Sequence, residues 1–485
     1  GDVAIDPFSS TTQMAEVVRT GEVSSRELVD LHLERIERFD PQLNAVVTLD
    51  ADGARWRADE LDRRLAGEGP VRPLHGVPLT LKDCWATAGI RTTAGSPEMA
   101  DCVPDADAEV VARLRSAGAI VMGKTNVPEE VTGQETGNPL FGRTCNPWDP
   151  DRTPGGSSGG AAAAVAAGLS PLEVGSDSGG SIREPAHCCG VYGHFSTSGL
   201  VPLAGHLPSV PVDDIGADQD LMAAGPLARS AGDLALAMQV LAGVAPLEEA
   251  PAPERLNVAV WLDGPDVELS RDVASLVAAA GDALGTAGAS VREAGPPFDT
   301  AEAREVAFQL WVAATASSTD DHQHDRAVER AAGTPASDRS LAALRNRAQA
   351  MSHRDWQRLD ARRRSMARAW AALLDEVDVV LCPVSPVPAV RHDPEPEDVD
   401  SVDRRLARTI DVDGRARPYL DQIMWNIVVG MAGLPATVVP VGRTAAGLPV
   451  GAQVVGRRHA DALTIAVAGV VGALSGGYAV PPGFA

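Results

Sequence analysis

Apolar positions recur at helical spacing in "SSRELVDLHLERIERFD", where Val29, Leu33 and Ile36 share one face. Ser24 followed by Glu27 is a capping-box pattern and marks that helix's start. A second, polar helix is expected over Ala51 to Ala66. "HGVPLTLKD" alternates instead: Val77, Leu79 and Leu81 against Pro78, Thr80 and Lys82. That predicts a strand, with Lys82 near its end and facing away from the leucines. "DAEVVARLRSAGAIVMGKTN" reads as helix, turn and strand, with Lys124 closing the strand. "AAAAVAAG" is a short helix of small residues. "PLEVGSDSGGSIREPAHCCGVYG" reads as a strand entering a glycine–serine turn. "APLEEAPAPERL", Ala245 to Leu256, is a Pro/Glu-rich connector and the best internal boundary; the strand "NVAVWL" follows it. Ala301 to Glu376 is largely helical. "VDVVLCPVSPVPAV" and "LPATVVPVG" read as buried strands with proline at their ends. "GLPVGAQVVGRRHADALTIAVAGVVGAL" closes as strand then helix. No repeat relates the two halves.

This alternation predicts an α/β architecture. The 485 residues, 44% of them hydrophobic, suffice for a large buried core, and length alone suggests about two to four domains. A net charge of -24 with no basic stripe argues against nucleic acid and anionic membrane as partners. No apolar stretch is long enough to span a bilayer. No charged start leads into an apolar run, so no signal peptide is expected, and the start at Gly1 in place of Met points to processing or trimming. The six cysteines match no zinc spacing, and adjacent Cys188 and Cys189 are poorly placed to staple a fold. Free thiols in a reducing, cytoplasmic setting are the simplest account.

Only Lys82 and Lys124 among the 42 basic residues are lysines. Arginine keeps its proton near neutral pH, whereas a buried lysine can lose it, so these two positions call for a chemical explanation. The other conspicuous feature is "TPGGSSGG", Thr153 to Gly160. A linker would be longer and lie between domains. A phosphate cradle would need a following lysine. Gly155-Gly156-Ser157-Ser158-Gly159 fits the G-x-S-x-G nucleophile elbow, but that needs a later acid and a histidine; Asp378 and His459 could be drafted for those parts, and nothing in the sequence marks them. The second turn, "GSDSGGSIREP", competes by placing Ser181 after Gly179 and Gly180.

The stretch "GGSSGGAAAAVAAGLSPLEVGSDSGGSIREPAHCCGVYG" resembles, over its whole length, the defining block of the amidase signature family of serine hydrolases. "PLTLKDCWATAGIRTTAGS" is similar to that family's lysine block. Val121 to Glu129, "GRTCNPWD" and "GLPVGAQVVG" are similar to its flanking segments. The likeness runs from Ser24 to Gly243 and from Asp378 onward. The resemblance implies the amidase signature fold over 1–485, one α/β domain with a central mixed, mostly parallel sheet covered by helices on both faces, and the weakly matched 245–376 capping the substrate pocket. It implies a Ser–cisSer–Lys triad: Ser181 as nucleophile, Ser157 as bridging serine after a cis Gly156–Ser157 peptide, and Lys82 as base. It implies hydrolysis of a small-molecule amide with no cofactor and no metal.

The chemistry suits those residue types. A serine hydroxyl is a weak nucleophile until a base takes its proton. Lysine is that base only when burial or a nearby cation keeps it neutral. A hydroxyl both donates and accepts, so Ser157 can relay a proton. The N–H groups of Gly179, Gly180 and Ser181, with Ser178 nearby, are candidate oxyanion donors. Gln134, with Glu135 and Thr136, is a candidate pocket residue. Asp177 and Arg183 are expected to pair structurally around the turn. Lys124, Cys188 and Cys189 are read as structural, and "TDDHQHD", Thr319 to Asp325, as a solvated run instead of a metal site. "GHFST", Gly193 to Thr197, lacks the family's lysine and proline, Glu184 stands where an apolar residue is common, and Ala86 where an acid is frequent. The alternatives are an amidase subunit of a transamidating complex, an esterase or carbamate hydrolase with the same triad, or a non-catalytic binding protein. A homodimer is possible.

Overall fold

The capping box read at Ser24 is formed: Ser24 Oγ accepts from the Glu27 N–H, and the Glu27 carboxylate accepts from the Ser24 N–H at 2.8 Å. The helix it starts, Ser25–Phe39, buries Leu28, Val29, Leu33 and Ile36. The computed structural model describes residues 5–68, 72–208, 220–316, 321–393 and 402–485. The polar helix spans Ala51–Glu68. Strand Pro78–Lys82, helix Glu109–Ser116 and strand Ile120–Thr125 come next, and the two strands pair in parallel with Lys82 opposite Thr125. Val46–Leu49 adds antiparallel to Ile120–Thr125 and completes a three-stranded sheet.

The larger sheet has eight strands. Their order is Ser290–Glu293, Asn257–Val260, Val379–Pro383, Pro449–Val455, Ala436–Arg443, Tyr192–Phe195, Ala223–Ala228 and Leu172–Asp177. It is mixed, as expected, but not mostly parallel. Two neighbouring pairs are parallel and five antiparallel. Alternating helix and strand signals suggest parallel crossovers. Here, however, neighbours such as Ala436–Arg443 and Pro449–Val455 are joined by a short turn, which antiparallel pairing permits and parallel pairing does not.

Successive residues of the central strands enter different cores. Val258, Val379, Leu381, Val450 and Val454 pack on one face with the helices Ala231–Ala242, Arg271–Thr286 and Asp461–Ser475. Ala259, Val380 and Cys382 pack on the other with Thr300–Ala313, His353–Leu374 and Asp421–Gly430. Both faces are therefore covered by helices. The connector Ala245 to Leu256 leads directly into strand Asn257–Val260 of this same sheet. One core cluster takes residues from before it (Leu28, Val174) and after it (Val258, Val450), so the chain is a single α/β domain.

Helix Gly159–Ala166 is buried along its whole length. Small side chains let its backbone approach the end of strand Ile120–Thr125 and the adjoining Asn126. A Cβ at Gly160 would lie 2.4 Å from the Asn126 backbone nitrogen and 2.5 Å from its carbonyl oxygen. Backbone on both sides cannot rotate away. Alanine gains up to about 1 kcal/mol in helix propensity, but overpacking against fixed backbone costs about 1–3 kcal/mol. Gly160→Ala is therefore expected to lower the urea midpoint; an unchanged midpoint would show slack at this contact.

Candidate active site

The strand Pro78–Lys82 delivers Lys82 into the interior, where its side chain is fully buried. The turn Thr153 to Ser158 comes to meet it. Thr136 Oγ1 donates to the Gly155 carbonyl at 2.8 Å, and the Gly155 N–H donates to Thr153 Oγ1 at 3.0 Å. The Gly156–Ser157 peptide is cis. Gly156 presses on the Gly133–Gln134 backbone, where a Cβ would sit 2.5 Å from the Gly133 carbonyl oxygen. The result places Ser157 Oγ 2.8 Å from Lys82 Nζ. Two more oxygens hold the amine, both from Ser176 at the end of strand Leu172–Asp177: Oγ at 3.0 Å and the carbonyl at 3.2 Å. Burial lowers the Lys82 pKa to about 8, against the opposing pull of Cys84, Asp177 and Glu173.

The second turn is organised by Asp177. Its Oδ1 accepts from the Gly180 N–H at 2.7 Å, and its Oδ2 from the Ile182 N–H at 3.1 Å. The buried Arg183 guanidinium grips the same carboxylate with two hydrogen bonds of 2.9 Å. Burial alone would raise the Asp177 pKa; Arg183 and the turn N–H groups outweigh it and hold the pKa below its ordinary value. Arg183 also donates to the Asn426 carbonyl at 2.9 Å and lies 4.1 Å over the Phe195 ring. Gly180 has φ +112°, which favours glycine, and a Cβ there would meet Asn426 Nδ2 at 2.6 Å.

This arrangement revises one expectation. The Gly180 N–H already donates to Asp177, so it is not an open oxyanion donor. The N–H groups of Gly179 and Ser181 have no protein partner among the described residues. The Ser181 side chain is half-buried, and its carbonyl accepts from the Ser158 N–H at 3.1 Å, which ties the two turns together. Ser178 Oγ accepts from Trp311 Nε1 at 3.4 Å, and the Trp311 indole lies against Gly179. Gln134 is buried beside the first turn, with no hydrogen-bond partner for Oε1 among the described residues.

The remaining candidates fall elsewhere. Burial lowers the Lys124 pKa to about 8 as well, but its amine donates to the Trp85 carbonyl and, at 2.8 Å, to Thr87 Oγ1, and so braces a loop. Cys188 and Cys189 are buried, and all six thiols are free. Of Thr319 to Asp325, the first two residues lie outside the described residues; Asp321 to Asp325 are exposed on helix Asp321–Ala332. No group of three or more His, Cys, Asp or Glu suited to a metal occurs among the described residues. Asp378 accepts from the Asn257 N–H at 2.8 Å, and His459 is exposed, so neither serves an elbow serine.

The polar side chains of the unusual "GHFST" run, His194, Ser196 and Thr197, are all hydrogen-bonded. His194 Nε2 donates to Asp461 Oδ1 at 3.0 Å, and the Thr197 N–H donates to the same oxygen at 2.8 Å. Glu184 is buried with neither carboxyl oxygen bonded among the described residues, and burial drives its pKa well above the ordinary value. Sequence reasoning gave no role to Ser176, His206, Trp311 or Asn426. Ser176 lay inside the glycine–serine block; the others reach the site only through the fold.

No helix among the described residues is long and apolar enough to cross a membrane. The family model "Amidase" matches residues 27–465. A glutamyl-tRNA(Gln) amidotransferase subunit from Roseiflexus sp. is 35% identical over 482 residues, covering 91% of each chain. An acylamidase of Rhodococcus erythropolis is 34% identical, covering 95% of this chain and 94% of its own. The solved structure of 6-aminohexanoate cyclic dimer hydrolase complexed with substrate superposes with a TM-score of 0.78 at 26% identity, over 99% of this chain and 100% of that one. A lysine held against a serine in a glycine turn, on this fold and along this length of matching sequence, means that the chain belongs to the amidase family, the amidase signature enzymes, and is an amide-hydrolysing enzyme.

Proposed function

We propose that the enzyme hydrolyses a small-molecule carboxamide through a Ser181 acyl-enzyme, with Lys82 as the base acting through Ser157. The observation that carries this reading is the 2.8 Å contact between Lys82 Nζ and Ser157 Oγ in a fully buried setting that favours the neutral amine. Ser181 Oγ attacks the amide carbon. Its proton passes to Ser157 Oγ as the Ser157 proton passes to Lys82. The oxyanion forms against the N–H groups of Gly179 and Ser181, each donor supplying about 2.7–4 kcal/mol of transition-state stabilisation. Collapse breaks the C–N bond, and the relay run backwards returns a proton to the leaving amine. Water then attacks the acyl ester, giving its proton to the same relay, and Ser181 recovers its proton as the acid leaves.

The segment 245–376 shapes the substrate pocket in this reading, supported by Trp311 of helix Thr300–Ala313 against Gly179 and Ser178. An indole beside the oxyanion turn suits an apolar or planar acyl group, and the acylamidase relative points the same way. A second reading, an amidase subunit that passes ammonia to a partner, is favoured by the amidotransferase relatives. Assay of the purified chain alone separates them. Turnover of aryl and aliphatic acylamides without a partner supports the first; glutamine hydrolysis only when a partner is added supports the second. An ester analogue in the same panel tests the esterase alternative.

Ser181→Ala is expected to abolish labelling by a fluorophosphonate probe, and full labelling of that variant would remove Ser181 as nucleophile. Lys82→Ala is expected to cut kcat by about 10²–10⁴-fold with the circular dichroism spectrum unchanged; near-normal turnover would remove Lys82 as base. The base works only when deprotonated, and its pKa is lowered to about 8. With a neutral substrate, kcat/KM should therefore rise with pH along a limb centred near 8. A flat profile from pH 6 to 9 would contradict a titrating lysine.

A further inference from the structure

A neutral primary amine has two N–H donors and one lone pair. Among the described residues, Lys82 Nζ has three hydrogen-bonding oxygen neighbours: the Ser176 carbonyl, Ser176 Oγ and Ser157 Oγ. The carbonyl can only accept, so it takes one N–H. The second N–H and the lone pair are divided between two hydroxyls. To serve as base, Lys82 must donate to Ser176 and accept from Ser157. The opposite division, with Ser176 donating its proton to the amine, leaves Ser157 bound to an N–H and the relay blocked. Distances to the two hydroxyls differ by little, so something beyond the amine has to decide.

His206 makes that decision available. Its Nε2 lies 2.8 Å from Ser176 Oγ, on the chain Ser157–Lys82–Ser176–His206. The ring is held firmly. It packs edge-on to Trp85 with ring centroids 4.9 Å apart at 89°. Trp85 is pinned by its own Nε1 donating to the Val174 carbonyl at 3.0 Å. The loop carrying His206 is clamped to the lysine block by Ala86 N–H to Gly205 carbonyl at 3.0 Å and Leu207 N–H to Cys84 carbonyl at 2.7 Å.

We infer that His206 is a positioning residue: its unprotonated Nε2 accepts the Ser176 hydroxyl proton, turns Ser176 Oγ into an acceptor for Lys82, and so directs the Lys82 lone pair at Ser157. The inference rests on the reading of Lys82 and Ser157 as base and relay. It requires an imidazole that stays neutral. Burial, and then the nearby Lys82, lower the His206 pKa to about 3, so the acceptor persists throughout the working pH range. The other titratable groups facing the amine are Cys84, Asp177 and Glu173. Among the described residues, the Cys84 thiol is the one further hydrogen-bonding neighbour of Ser176 Oγ, at 3.8 Å, and is a weak competitor for its proton.

The test compares His206→Gln, whose Oε1 can accept at a similar reach, with His206→Leu, which fills the space and accepts nothing. The readout is the pH profile of the rate of fluorophosphonate labelling, with circular dichroism to establish folding. In His206→Leu the plateau rate should fall about tenfold or more, and the limb should move to lower pH because Ser176 now stabilises the neutral amine. His206→Gln should stay within about threefold of the parent with its limb unmoved. A His206→Leu profile equal to the parent's would overturn the inference, as would equal losses in both variants with unmoved limbs. The parent enzyme separates this from failure of the underlying reading: if the parent labels without a limb near 8, or Ser181→Ala labels fully, the triad itself is wrong, whatever His206 does.

Discussion

A primary amine held out of water between Ser157 Oγ and the two oxygens of Ser176 is the contact on which the rest of this molecule depends. Desolvation disfavours an ammonium ion strongly, and neighbouring acids favour it. At Lys82 the first effect wins over Cys84, Asp177 and Glu173, and the pKa comes down to about 8. That balance needs a dry position with a few oxygens at fixed places. Lys124 shares the burial and the lowered pKa but meets a carbonyl and a threonine that support a loop, so the two lysines differ in their partners and not in their pKa shift. What distinguishes Lys82 is that one of its partners is a hydroxyl in a turn tied to Ser181.

The geometry is built by long-range packing. Strand Leu172–Asp177 carries Ser176 on the way into the second turn, and Asp177 then folds that turn over its carboxylate. Arg183 extends the same network to Asn426 and Phe195, which belong to other elements of the domain. A buried ion pair of this kind is costly to desolvate, and it is tolerable here because the turn N–H groups and the aromatic face satisfy both partners. Nearby, Asp461 plays a similar part for His194 and Thr197. That explains why a run lacking the family's lysine and proline still packs without loose polar groups.

Much of this was legible in the chain. The capping box at Ser24, the strand ending at Lys82, the small-residue helix and the Asp177–Arg183 pair were readable because each depends on neighbours within one or two turns of chain. The sheet's direction was not. Helix and strand signals alternate in both parallel and antiparallel arrangements, and the turn between Ala436–Arg443 and Pro449–Val455 decides by its shortness. The open N–H groups of the second turn were half legible. Glycines at 179 and 180 announced a turn with exposed N–H groups, but which of them was already committed to Asp177 depended on the turn's closed form.

The sequence by itself determined the elements, the two glycine–serine turns and the restriction of lysine to two positions, since these follow from local periodicity, backbone freedom and side-chain chemistry. The family resemblance already pointed to Lys82 and Ser157; the tertiary structure brings the two together, and it alone decided which N–H groups remain open and that His206 stands behind Ser176. Those facts rest on burial and on hydrogen bonds between distant residues, such as Lys82 and Ser157 at 75 positions apart, which no local pattern encodes. A proton relay is a matter of small differences in distance and of which oxygen donates, and only packing fixes either one.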